Sequence, residues 1–494
     1  GGFGFGLRDF WQQHPTRLDI RNAATDLATA TLWLHSPSAP PMDLRFWHDG
    51  LGQDTHDHQL RGLEITYEDH EPGFGTPYGI ARTHELHLDV LDGPPGAEAL
   101  QPPGLLTVEP SRLRDAGVFG VWGLPDPENQ DIEDRLDFLF DFYAGQREQR
   151  RWYGFWDYGD VMHTYDADRH AWRYDVGGYA WDNSELSPDL WLWYQYLRTG
   201  RAGVFRFAEA MTRHTGEVDV YHLGPWKGLG SRHNVQHWGC SCKQLRISGA
   251  IYRRFFHYLT ADERTGDLLD ELDEGAHAAV DPLRKVRADG PWLGLGTDWG
   301  ALAAAWLTRW ERHGDTAARD RLLETMAAIA KLPHGFLTGE VRPDFTAGHE
   351  EVRVSHLSAV FGLAEICAEL IDLDLGVPGF EEAWLEYCRR YLTDPELEGV
   401  SLVQAHSRLA AYAAARTGDA GLAAVAWRRF DVDEGDRLNT NPLQREPDWR
   451  VTRVSGPAVP MTVDEAPFVS TNDAAQYALA AIQNLALIAH WRRR

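Results

Sequence analysis

The chain has 494 residues, a formal charge of −26 and 43% apolar residues. That length accommodates two or three domains with sizeable cores, and so acidic a surface repels nucleic acid and anionic membranes. Four cysteines are too few for a disulfide scaffold, and no apolar run reaches the length needed to span a bilayer.

The first 125 residues read as β-rich. Ala30–His35 and Leu63–Tyr67 alternate apolar and polar side chains, as half-buried strands do. Arg82–Val90 alternates likewise, with Leu86, Leu88 and Val90 on one face. Pro- and Gly-rich punctuation at 36–41, 71–79, 93–96 and 102–104 separates these runs. An antiparallel sandwich-like domain over 1–125 is therefore expected. The sequence enters it inside strand-like residues, so the domain reads as N-terminally incomplete. Gly1–Phe5 has neither a starting Met nor the pattern of a leader, which fits a processed or trimmed form of a secreted or a cytoplasmic protein.

Beyond about residue 130 the period becomes helical. Ile132, Leu136, Leu139 and Phe142 recur at spacings of three and four, as do Leu190, Trp193, Tyr194 and Leu197, then Phe205, Ala208 and Met211, then Ile251, Phe255, Tyr258 and Leu259. Further helices are expected over 262–278, 298–313, 317–331, 355–371, 379–392, 401–417, 419–429 and 472–491. About a dozen helices without a fixed-period repeat favour an α/α toroid over a short-repeat solenoid. The expected class is thus α+β multidomain, with an α/α toroid over 126–430 flanked by an antiparallel β-sheet or sandwich domain. Asp448–Val454 reads as a strand returning to the β part, within a 431–494 segment that ends in a closing helix. In a toroid the long loops ring a central cleft, and here those loops are 145–185, 214–240, 286–298 and 332–355.

The densest chemistry lies in Tyr221–Arg246. That stretch gathers His222, His233, His237, Asn234 and two of the four lysines of the chain, Lys227 and Lys243. A loop this long and aromatic is usually functional. With a net charge of −26, an anionic substrate must be captured by such a local basic cluster. Elimination across C4–C5 of a uronic acid needs a neutralised carboxylate, a base for the C5 proton and an acid for the leaving O4. Arg232, Lys227 and Asn234 suit the first task; His233, His237, Tyr221 and His222 suit proton transfer. A second run, Arg151–Asp160, is rich in aromatics and acids. With His163 and Tyr179–Asn183 it suits a sugar-binding wall: Trp156, Tyr158, Trp181 and Trp238 as stacking platforms, Asp157, Asp182 and Asn183 as hydroxyl partners. Arg82, His349 and His356 are further candidate substrate contacts.

Two other chemistries remain open. Asp157, Asp160 and Asp182 offer carboxylate pairs for glycoside hydrolysis, and a chain with these platforms but no turnover would be a glycan-binding protein. Metal ligands could come from His214, Asp219, His222, His233, His237, Cys240 and Cys242, but their spacing matches no zinc pattern. No cofactor is required by any motif; Ca2+ held by Asp and carbonyl oxygens stays compatible with the sequence, without a motif to support it.

Several runs carry a resemblance. Gly79–Glu85, Trp152–Asp160 (Trp-Tyr-Gly-Phe-Trp-Asp-Tyr-Gly-Asp), Tyr179–Asn183, His214–His222, Arg232–Gly239 (Arg-His-Asn-Val-Gln-His-Trp-Gly) and Ser470–Tyr477 are similar to those of the exo-rhamnogalacturonan lyase (YetA-like) family, polysaccharide lyase family twenty-six. The resemblance spans nearly the whole chain. It implies β-sheet domains flanking an α/α toroid, and β-elimination at a uronic acid of a plant-type glycan. The expected substrate is an acidic polysaccharide or oligosaccharide attacked from one chain end, with Arg232 and Asn234 at the carboxylate. The sequence leaves the oligomeric state open.

Overall fold

The computed structural model describes residues 2–42, 74–93, 104–247, 249–276, 290–354, 357, 359–431 and 441–492. The expected strand at Leu63–Tyr67, together with Ser355 and His356, lies outside these residues. Near the N-terminus, β1 (Gly2–Leu7) pairs antiparallel with β4 (Leu86–Leu91), placing Phe5 opposite Leu88 and Leu7 opposite Leu86. A second ribbon pairs β2 (Arg17–Arg21) with β3 (Thr29–Trp33). The alternation in 82–90 predicts a half-buried face. Leu86, Leu88 and Val90 are instead 53%, 67% and 88% exposed, because a two-stranded ribbon buries a face only against a second layer.

The rest is helical. A short helix, α1 (Pro110–Asp115), precedes α2 (Gln130–Arg150), α3 (Pro188–Thr199), α4 (Ala202–Glu217), α5 (Ala250–Thr260), α6 (Glu263–Ala276), α7 (Thr297–His313) and α8 (Thr316–Lys331). Then follow α9 (Leu363–Asp372), α10 (Phe380–Arg390), α11 (Val403–Thr417), α12 (Ala420–Asp431) and α13 (Thr471–Ile488). Four helix pairs turn on one residue in the left-handed region: Gly200, Ala261, Gly314 and Gly418 end α3, α5, α7 and α11. Such a C-terminal stop reverses the chain within two residues and sets the next helix antiparallel. Outer helices bury one stripe, such as Ala318, Leu322, Met326 and Ile329 of α8, as amphipathic helices do. Inner helices are buried all round. In α11 and α13 alanine is the commonest buried residue, which lets their axes approach closely.

The inner helices α3, α5, α7 and α9 pack one on the next, α9 meets α11 through Arg408 and Glu365, and α13 packs on both α11 and α3 to close the ring. Buried ion pairs fix neighbouring helices: Arg198–Glu133 joins α3 to α2, Arg408–Glu365 joins α11 to α9, and Arg254–Glu369 joins α5 to α9. Two expectations change in detail. The helix read from 355 begins only at Leu363, after Gly362 at φ 86°. Ile251 of α5 sits where a Gly362 Cβ would go, so the chain must cross α5 before it can coil. The strand read at 448–454 forms as β11 (Thr452–Val454), yet it pairs with β12 (Val463–Glu465) rather than with the N-terminal strands. That hairpin docks on α2, where Gln146 and Gln149 donate to Asp464.

Candidate active site

Long connections enter α3 and α5 at the same end of the ring, and they build the site. After α2, Arg151 turns left-handed at φ 56° and releases the loop Trp152–Asp160. The loop is held to the N-terminal segment by Gly154 N–H donating to Gln12 O and Phe155 N–H to His14 O. At Gly159, φ is 110° and a Cβ would overlap the Ala210 carbonyl oxygen of α4. Only glycine allows this approach, which carries Asp160 to His214. The second connection folds as a hairpin of β7 (Gly230–Ser231) and β8 (Lys243–Gln244), closed further by Arg232 N–H to Cys242 O at 3.1 Å. Trp181 N–H donates to Asn234 O at 3.0 Å, and Asp182 N–H to Val161 O at 3.0 Å. The Trp152–Asp160 loop, the Tyr179–Asn183 run and the hairpin thereby meet.

Two layers result. In the upper layer the rings of His163 and His233 stack at 4.7 Å and 12°. The Arg232 charge acts on both rings and that of Arg246 on His233, and the Arg246 guanidinium sits 4.7 Å over Phe361. Burial pushes both His163 and His233 down to about 3, helped at His163 by His233 and Arg232 and at His233 by Arg232 and Arg246, so both rings are neutral at pH 7. Half-buried Trp181 lies over His237, ring centres 5.1 Å apart.

The lower layer is a carboxylate–imidazole cluster with no exposed atoms: Asp160, His214, Asp219 and His237. His237 Nδ1 stands 3.2 Å from Asp160 Oδ2 and 3.8 Å from Asp219 Oδ1, and His214 Nε2 stands 3.5 and 3.2 Å from the same two oxygens. His237 Nε2 reaches Asp157 Oδ1 at 3.0 Å. Burial works against a charged imidazole, but Asp157 and Asp160 outweigh it and push His237 up to about 10. Nearby Asp182 is buried beside Asp160, Glu185, Asp189 and Asp219, which together with desolvation hold its carboxyl well above the usual range. These four donors are the group that suits a metal ion among the described residues.

Of the expected site residues, the structure gathers Trp156, Asp157, His163, Trp181, Asn183, Arg232, His233, Asn234, His237 and Trp238 around these loops. Several of them prove to be internal ties. Asn183 is fully buried and donates to Ser231 O and His237 O; Asn234 is fully buried, its Oδ1 accepting the Val235 N–H at 2.6 Å. Neither amide faces the cleft, which corrects the placement of Asn234 at a substrate carboxylate. Trp156 and Trp238 pack edge-on at 5.1 Å in a small core with Tyr221. Tyr158 accepts from Arg82 Nη2 through its carbonyl.

Others sit apart. Tyr221 is buried, its hydroxyl donating to Thr76 O at 2.8 Å with the Lys243 ammonium 5.0 Å from its ring. Lys243 itself is buried and donates to Ser231 Oγ and Trp238 O. His222 turns to Glu271 of α6 at 2.6 Å, and Lys227 lies on the Gly224–Gly228 turn. Arg82 lines a cavity of about 110 Å³ with Arg8, Glu209, Arg213 and Glu217 where the β part meets α4. His349 stacks on Trp292 at 4.6 Å and contacts Glu340. Sequence reasoning gave Arg246 no role of its own; it grouped His214, Asp219 and His237 as possible metal ligands but set Asp160 among the carboxylates of a hydrolase. The His214–His222 run and the Trp-Asp-Tyr-Gly-Asp motif held the signal, but only folding brings them together.

Comparison with known proteins agrees with this architecture. Residues 103–493 match the family model described as the PcRGLX-like protein C-terminal alpha/alpha toroid domain, and residues 1–103 match the PcRGLX-like protein central beta sandwich domain. The chain is 38% identical over 521 aligned positions to the protein of Bacillus subtilis (strain 168) named "Uncharacterized protein YetA". The alignment takes in 99% of this chain but 58% of that relative's length. With both of its regions matched, the chain belongs to the PcRGLX-like, rhamnogalacturonan lyase-like, family.

Proposed function

We propose that this chain cleaves a uronic-acid-containing glycan of the rhamnogalacturonan type by β-elimination, working from one chain end. The observation that carries the reading is the stacked pair of neutral imidazoles, His163 and His233, with the Arg232 charge acting on both and the Arg246 charge on His233. A guanidinium at the uronate carboxylate draws charge from C5 and stabilises the enolate-like anion that forms when the C5 proton leaves. A neutral imidazole beside it is in the protonation state a base requires. Burial is the main cause that keeps His233 neutral and the two guanidiniums add to it; an arriving anionic sugar partly neutralises those cations and so raises the basicity of the ring. Trp181, half-buried above His237, supplies an aromatic face for a sugar ring.

The carboxylates fit hydrolysis less well. Asp160 is fully buried against two histidines and Asp157 is hydrogen-bonded to His237, whereas a hydrolase needs two carboxyls facing each other across bound sugar. The family membership supports a glycan substrate, and exo action rests on the resemblance to exo-acting lyases. Incubation with rhamnogalacturonan and with glucuronate-containing glycans tests the proposal. Growth of the ultraviolet absorbance of a C4=C5-unsaturated uronate supports it, and the absence of that absorbance on every acidic glycan tried would overturn it.

A further inference from the structure

The buried cluster beneath the candidate active site is arranged as a metal shell. Each member offers one atom: Asp160 Oδ2, His214 Nε2, Asp219 Oδ1 and His237 Nδ1. Their four mutual contacts are 3.5, 3.2, 3.2 and 3.8 Å, and the group as a whole lies within 4.8 Å. A tetrahedral ion bound at about 2.0–2.2 Å places its donors about 3.3–3.6 Å apart; the four imidazole–carboxylate separations lie close to that spacing, and the other two are within 4.8 Å.

Two further observations point to a ligand. Both oxygens of Asp219 and the Nε2 of His214 are fully buried, yet none has a hydrogen bond of acceptable geometry among the described residues. Imidazole nitrogens stand 3.2 and 3.8 Å from Asp219 Oδ1, but a buried carboxylate without a hydrogen bond is poorly satisfied, while a divalent ion satisfies it outright. The second observation lies one shell out. The far nitrogen of His237 is 3.0 Å from Asp157 Oδ1, and the remaining oxygen of Asp160 accepts the Val161 N–H at 2.7 Å. A carboxylate on the distal nitrogen of a histidine ligand is the arrangement that fixes its tautomer and orientation.

We infer that Asp160, His214, Asp219 and His237 bind a single zinc-class divalent cation in a closed, structural site. Two carboxylates balance its charge, and both imidazoles bind as neutral ligands, the cluster releasing the His237 proton when the ion enters. Four N and O donors in a fully buried site suit Zn2+, whereas Ca2+ takes six to eight oxygens and usually some water. The ion would cross-link the Trp152–Asp160 loop, the last turn of α4, the segment after it and the β7–β8 hairpin. The hairpin carries Arg232 and His233, and Trp181 is tied to it by its N–H donating to Asn234 O, so the role of the ion is to position them rather than to touch substrate. The inference stands whether or not the chain proves to be a lyase.

Metal analysis of the full chain, purified without chelators, tests it. One zinc per chain is expected, with an X-ray absorption shell of nitrogen and oxygen neighbours and no sulfur. Stripping with a picolinate chelator should lower Tm, and Zn2+ alone should restore it where Mg2+ and Ca2+ do not. Asp219→Asn should abolish stoichiometric zinc, and Asp157→Asn, which leaves all four donors, should weaken Zn2+ affinity about 10–100-fold. If Asp219→Asn fails to fold, the wild-type absorption shell and Zn2+ titration decide alone. A wild-type chain that neither carries nor takes up zinc, a sulfur shell from Cys240 or Cys242, or zinc content unchanged by Asp219→Asn would each overturn the site.

Discussion

His233 concentrates the chemistry of the upper layer: it is stacked on His163, flanked by Arg232 and kept neutral by burial and by neighbouring guanidiniums. Replacing it by Gln keeps the size and hydrogen-bonding of the ring but removes the base. Turnover on an acidic glycan should then fall about 10²–10⁴-fold with Tm little changed; undiminished turnover would remove His233 from the proposed role. The same two rings set a stability signature. Their folded values near 3 lie below the ordinary histidine value, so between pH 6.5 and pH 3 the unfolded chain binds protons that the folded chain refuses. Stability therefore drops as pH falls through that window. Thermal melts should show a shallower acid loss for His163→Gln than for wild type, and identical slopes would contradict the assignment.

Helices are held in register by buried charge as much as by alanine packing. Arg198 of α3 meets Glu133 of α2 through two contacts of 2.7 and 2.6 Å, with neither side chain appreciably exposed. Removing one partner leaves a buried charge alone, so Arg198→Met should cost about 3–5 kcal/mol in denaturant unfolding, and adding Glu133→Leu should recover part of it. A loss no larger in the single than in the double variant would show the pair to be inessential. The helix pattern was legible in sequence because each outer helix buries one stripe at spacings of three and four, as in Phe380, Trp384, Tyr387 and Cys388. Legibility failed where a contact distant in sequence decides. Gly362 delays α9 because Ile251 stands in the way, and β11 finds β12 rather than the N-terminal strands. Within the site, the Arg-His-Asn run announced Arg232 and His233, but nothing local told that Asn234 turns inward or that Asp160 meets His214 and Asp219. Those facts depend on Gly159 lying against α4.

Across the whole molecule, a charge of −26 opposes the approach of a polyanion, while the site offers Arg232 and Arg246 at short range. Salt screens the long-range repulsion over about 8–10 Å and affects a half-buried contact less. Raising ionic strength from low to moderate values should therefore increase kcat/KM on polymeric acidic glycan, and a steep fall would mean that exposed cations dominate capture. Among the described residues no helix is long and apolar enough to cross a membrane. The central claim, elimination at a uronic acid in the ring's upper layer, makes a statement about water. Hydrolysis adds one molecule of it to the products and elimination adds none. Mass spectrometry of the products formed from rhamnogalacturonan oligosaccharides in H2(18)O reads this directly. The account predicts an unsaturated fragment lighter by one water than its hydrolytic counterpart and free of the heavy isotope; saturated products carrying 18O at the cleaved linkage would contradict it.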